Sequence, residues 1–115
     1  MPTGAHPNPT PVANSTRVRL TGEFDVATAA RMLAGVAETF GREQCRTVEV
    51  DCSQVSFIDC AALGQLLRLR SAAETDGRRL VVCDPSPPVR RLVALTGTDH
   101  LICPSGARPG PRVGR

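Results

Sequence analysis

Five cysteines (Cys45, Cys52, Cys60, Cys83, Cys103) and two histidines (His6, His100) are the side chains of this 115-residue chain best suited to nucleophilic or metal chemistry. Their spacing fits neither. There is no C-x-x-C pair, the cysteine count is odd, and the histidines do not accompany the cysteines at zinc-ligand intervals. Reduced thiols acting as small apolar side chains are therefore expected. The glycine-rich phosphate loops, the G-x-S-x-G elbow and H-E-x-x-H are also missing, so no cofactor, metal or catalytic residue is expected. What stands out is Phe57-Ile58-Asp59-Cys60-Ala61-Ala62-Leu63-Gly64, an acid followed by three small residues. Asp59 can cap a helix by accepting a hydrogen bond from an otherwise orphan N–H. Small residues after it leave backbone N–H groups open to another chain or an anion. A thiol at Cys60 would have its thiolate favoured by the helix start and opposed by Asp59.

The elements around this junction follow from hydrophobic period. Residues 1–14 hold four prolines and read as a disordered lead-in. Arg17–Thr21 alternates polar and apolar, as a strand with one wet face does. Asp25 can cap the next helix, in which Val26, Ala29, Ala30, Leu33, Val36, Ala37 and Phe40 keep the i, i+3, i+4, i+7 rule up to Gly41. Thr47–Cys52 alternates again, Ser53–Ile58 reads as a loop, and Asp59 opens a second helix with Ala62, Leu63, Leu66, Leu67 and Ala73 inward. Arg79–Cys83 is an apolar central strand. Ser86 caps a third helix with Pro87 and Pro88 in its first turn and Gly97 beyond its end. Leu101–Cys103 reads as a short last strand, and the chain from 105 as a disordered basic tail. Strand and helix alternate, so the strands are parallel and joined by right-handed crossovers. Two one-sided strands place the helices mainly on one face, with Arg17, Arg19, Glu49 and Asp51 on the wet side.

Composition narrows the function. The formal charge of +3 resides in the tail: without Arg108, Arg112 and Arg115 the body has as many arginines as acids. With no Trp, no Tyr and three Phe, the chain lacks the basic, stacking surface of a nucleic-acid binder. No apolar run approaches the ~20 residues of a membrane span, and the N-terminus lacks a signal-peptide layout. A cytoplasmic protein with no membrane or nucleic-acid partner is expected. The use of arginine with no lysine suggests a GC-rich bacterial genome.

Three segments together resemble a known family. Phe57–Gly64 resembles the apolar-apolar-Asp-Ser-Ser-Gly-Leu-Gly motif of STAS domains, the fold of bacterial anti-sigma factor antagonists. Leu20-Thr21-Gly22-Glu23-Phe24-Asp25 resembles the family's Leu-x-Gly-Glu-Leu-Asp, and Ser86–Gly97 its third-helix signature. The order and separations agree on the alternation already read, and the likeness spans about residues 17–104. It implies an α/β STAS domain over 15–104, with an approximately four-stranded, mostly parallel sheet. It also implies a partner-switching adaptor: the unmodified antagonist binds an anti-sigma factor, itself a GHKL-type serine kinase, and phosphorylation at the second-helix start breaks the complex.

Carried over by residue, Asp25 and Asp59 fall on the family's recurring acids, and Asp59, Cys60, Ala61, Ala62, Leu63 and Gly64 on its contact surface, with Leu63 anchoring the helix beneath. Ala61 occupies the phosphoacceptor position. A phosphate there would add about −1.5 to −2 charges beside Asp59, whereas losing a hydroxyl costs only ~1 kcal/mol. The expectation is a constitutive binder that phosphorylation at 61 does not switch. Ala62 in place of the family's Gly adds a methyl to the same surface. The family's first strand would precede Arg17, where Pro7, Pro9 and Pro11 make 7–13 a poor strand, and its last helix has no counterpart after Pro104. A weak homodimer is a further expected contact. The alternatives are an accessory STAS subunit of a stress-signalling or lipid-transport complex, and a thiol enzyme using Cys60.

Overall fold

A computed structural model describes residues 4–12, 15–43 and 45–102, the side chains of 6–12, 42 and 43 excepted. Its elements run β1 (Gly4–Val12), β2 (Ser15–Phe24), α1 (Ala29–Glu43), β3 (Thr47–Ile58), α2 (Cys60–Thr75), β4 (Arg79–Cys83) and α3 (Pro87–Thr96), then a single 3₁₀ turn over Asp99–Leu101. The four strands form one sheet in the order β1-β2-β3-β4. β1 is antiparallel to β2, while β2, β3 and β4 are parallel. Right-handed crossovers stepping twice in one direction put α1 and α2 on the same face, and the two helices touch there. The expected α/β class and mostly parallel four-stranded sheet are those of this structure.

The membership of the sheet differs from the expectation at both ends. β1 lies in the stretch read as a disordered lead-in, and prolines do not prevent it. Pro7 faces Val18 and Pro9 faces Thr16. A proline has no N–H to exchange, so these must be the non-bonded pairs of the ladder, with the imides turned to the outer edge where no strand waits for a donor. Only an edge strand allows that. At the far end, Leu101 belongs to the 3₁₀ turn and Ile102 makes a lone parallel bridge to Val82, so the expected last strand is reduced to one bridge. Cys103 and the expected basic tail lie outside the described residues.

β3 also runs longer than its alternation suggested, since Ser53–Ile58, read as a loop, is its second half. That half pairs with β2 alone, because β4 stops opposite Asp51. The core lies where Val18, Leu20, Val48, Val50, Leu80 and Val82 meet Met32, Leu33, Val36 and Phe40 of α1 and Leu63 and Leu66 of α2, all buried. Burying apolar surface of this kind supplies roughly 25 cal/mol per Å². Of the α1 positions read as inward, Val26, Ala30 and Ala37 are exposed and Met32 takes their place. Val26 belongs to the turn ahead of the helix, so helical spacing extrapolated back to Asp25 misplaces it.

The other sheet face is charged and only partly wet: Arg19 is exposed as expected, but the acids are not. Glu49 and Asp51 are only 6 % and 5 % exposed, lying beneath Arg17, whose Nε stands 4.0 Å from Glu49 and 3.8 Å from Asp51. Arg17 also holds Asp84 at 2.7 Å, and Arg19 lies 3.6 Å from Asp51. Burial pushes the Asp51 carboxyl up, but bonds from Ser53 and the charges of Arg17 and Arg19 outweigh it and hold Asp51 below its ordinary value.

Candidate functional site

The carboxyl end of the sheet brings two turns together. Gly22 has φ +87°, and the β2–β3 register shifts on either side of it. A side chain would resist this backbone; glycine lets the end of β2 bend. Phe24 then lies beside Ile58, and the Phe24 carbonyl accepts the Asp59 N–H at 3.3 Å. Both turns thus leave the sheet at adjacent points.

Asp59 joins them. Its backbone is extended, with φ −117° and ψ 174°. Its Oδ1 accepts the Ala62 N–H at 2.8 Å, which caps α2 as the sequence suggested. Its Oδ2 accepts the Val26 N–H at 3.1 Å, across 33 residues of chain. One carboxylate therefore fixes both turns.

Asp25 closes its own turn. Its Oδ1 accepts the N–H groups of Ala27 at 2.9 Å and Thr28 at 3.1 Å. The Thr28 hydroxyl accepts the Asp25 N–H at 3.0 Å and donates to the Glu23 carbonyl at 2.7 Å. This is the reciprocal exchange of a capping box with threonine in the glutamate's place. Sequence reading found the cap and missed its partner, whose signal was a hydroxyl three residues after an acid.

Not all expected contact residues reach the surface. Cys60 and Ala61 are exposed and Gly64 is half-buried. Ala62, expected on the contact surface, is fully buried, and Leu63 is 3 % exposed. Three residues after Asp59, helical rotation turns the chain back over the sheet, so the methyl at 62 packs against the core and cannot shape a partner's approach. Two residues not assigned to the site stand beside it in water: Val26, 68 % exposed, and Phe57, 50 % exposed. Phe57 pairs with Glu23.

The thiols divide in two. Cys45, Cys52 and Cys83 are buried; burial, with Asp51 and Cys83 nearby, pushes the Cys52 thiol up, away from the reactive thiolate. Cys60 alone among the described cysteines is exposed. Among the described residues no three His, Cys, Asp or Glu side chains converge as metal ligands, and no helix is long and apolar enough to cross a membrane.

The third helix start contrasts with the second. Ser86 is buried and its hydroxyl makes no hydrogen bond. Pro87 and Pro88 withhold the first two donors of α3. An approaching group finds no free N–H on either, whereas at α2 the first-turn residues Cys60 and Ala61 are open.

Comparison with known proteins gives a consistent likeness. Residues 11–103 match the family described as Mlab, STAS domain. An anti-sigma F factor antagonist of Paenibacillus polymyxa is 32 % identical over 85 residues, covering 74 % of this chain and 73 % of that protein. The unphosphorylated anti-sigma factor antagonist SpoIIAA superposes with a TM-score of 0.70 at 20 % identity, over 86 % of this chain and 85 % of that one. The murine anion transporter Slc26a9 contains the same fold, with a TM-score of 0.72 at 18 % identity over 90 % of this chain and 20 % of the transporter.

Proposed function

Since the chain belongs to the STAS family and is anti-sigma factor antagonist-like, we propose that it docks an anti-sigma factor through the Asp25 turn and the start of α2, and that phosphorylation at position 61 does not release it. The observation that carries this reading is Ala61, exposed in the first turn of α2 and without a hydroxyl, at the position where the motif resemblance implies the family's phosphoacceptor. A methyl at that point mimics the unmodified surface. A phosphate would set about −1.5 to −2 charges beside Asp59, enough to eject a partner. The protein then works as a cytoplasmic binding module, without cofactor or chemistry of its own. Asp25 and Asp59 hold the two turns while their charge faces the partner. Cys60 and Ala61 make the close contact.

The test pairs the purified chain with a purified GHKL-type anti-sigma kinase from the same genome. Calorimetry should record a complex that ATP does not dissociate, with no phosphate incorporated. Ala61→Asp should weaken it at least tenfold, and Ala61→Ser should create a phosphoacceptor. Unchanged affinity in Ala61→Asp sinks the reading.

A second reading, an accessory subunit of a stress-signalling or lipid-transport complex, is favoured by the same Ala61, because a permanent contact needs no phosphoacceptor. Stoichiometric co-purification with an ATPase or scaffold subunit, and no affinity for the kinase, would select it.

A further inference from the structure

Among the described residues three large apolar side chains stand in water: Val26, Phe57 and Leu95, the last 77 % exposed. A single exposed leucine on α3 needs no explanation. Val26 and Phe57 are different, because both flank Asp59. The Val26 N–H is bonded to its carboxylate, and Phe57 precedes it by two residues in β3. Ala27, Cys60 and Ala61, in the same two turns, are also exposed.

Within the two turns, residues 22–28 and 57–64, every charged residue is an acid: Glu23, Asp25 and Asp59. The segments that build this surface, residues 20–30 and 47–67, contain five acids and no Arg, Lys or His. Glu49 and Asp51 are neutralised beneath Arg17 on the other sheet face. Glu23, Asp25 and Asp59 remain here. Among the described residues, the Asp25 and Asp59 carboxylates accept hydrogen bonds from N–H and hydroxyl groups of this chain and not from a cation.

We infer that this end of the sheet docks a polypeptide presenting an apolar socket rimmed by arginine or lysine, with Phe57 as the inserted anchor and Val26 beside it. Charge complementarity selects the occupant. A second copy would set Glu23, Asp25 and Asp59 against themselves across a two-fold axis, and an anionic lipid or nucleic acid meets the same repulsion. A half-exposed aromatic can act as an interface hot spot, its energy released when the rest of the ring leaves water. The inference rests on the anti-sigma reading for its location only; the chemistry of the socket stands or falls separately.

The test places photoreactive p-benzoylphenylalanine at position 57 of the full chain, and in a parallel strain at position 95. Cells are irradiated and the crosslinked peptides sequenced. Position 57 should capture a peptide combining apolar residues with Arg or Lys, and position 95 should not. An anti-sigma kinase captured this way supports both readings. A basic, apolar surface on an unrelated protein keeps this inference and sinks the anti-sigma one. Capture of a second copy, of an acidic peptide, of the kinase from position 95 alone, or of nothing at 57 overturns it. With the captured partner purified, Phe57→Ala should weaken binding at least tenfold. Glu23→Lys should slow association severalfold, more at low salt; if both variants bind like the wild type, the inference is wrong.

Discussion

Carboxylates serve two regions of this molecule in opposite surroundings. On the sheet face away from α1 and α2, Glu49 and Asp51 are buried and face the guanidinium groups of Arg17 and Arg19. At the carboxyl end of the strands, Asp25 and Asp59 accept hydrogen bonds from backbone N–H groups. An N–H stabilises a carboxylate without cancelling its charge. The first group is therefore internally neutralised and structural, while the second is rigidly held and still negative toward anything that approaches. Fixed charge beside exposed apolar surface suits recognition; paired charge under an arginine suits stability.

Breaking the first group should cost most. Arg17→Ala leaves Glu49 and Asp51 buried without their main cation, and should lower stability by about 3 kcal/mol in urea unfolding. Asp59→Ala removes an acceptor from two N–H groups on separate turns, and a loss of about 2 kcal/mol is expected in the same assay. A loss under about 0.5 kcal/mol would mean the two turns hold each other without it.

The acid limb separates the groups by pH. Asp51 is held below its ordinary value in the folded chain, so its contribution is present above about pH 4 and is lost as pH falls through the lowered folded value. Asp51→Asn should be less stable at neutral pH and should flatten this part of the melting-temperature profile.

Asp25→Asn sharpens the contrast further. It keeps the cap acceptor and removes the charge, so stability should stay within about 0.5 kcal/mol while affinity for a basic partner falls severalfold. Smallest of all, Leu95→Ala should move neither stability nor binding measurably.

The start of α2 is legible because capping is local: an acid, three small residues and an apolar period suffice to place Asp59 at its head; at α3 Ser86 takes the expected cap position but its hydroxyl makes no capping bond. The α/β alternation was legible for the same reason, each period being written within one segment. What escaped depends on distant neighbours. Proline argues against a strand unless the strand is an edge, and only the finished sheet says that β1 is one. Glu49 and Asp51 read as solvent-facing because alternation reports two faces, not what lies over them; Arg17 and Asp84, which close that face, are 67 residues apart. Ala62 carries two readings: its helical period turns it inward, as it is found, whereas the motif read as a linear patch puts it on the surface. Phe57 escaped because a strand half with one neighbour has a loop's composition.

The outward imides of Pro7 and Pro9 act on more than their own strand. A hydrogen-bonding margin along β1 would invite other chains to extend the sheet, and two missing donors at alternate positions interrupt that invitation. Growth at this margin is discouraged by covalent chemistry alone, leaving the far end of the strands free to evolve its selectivity without guarding against fibre-like stacking here.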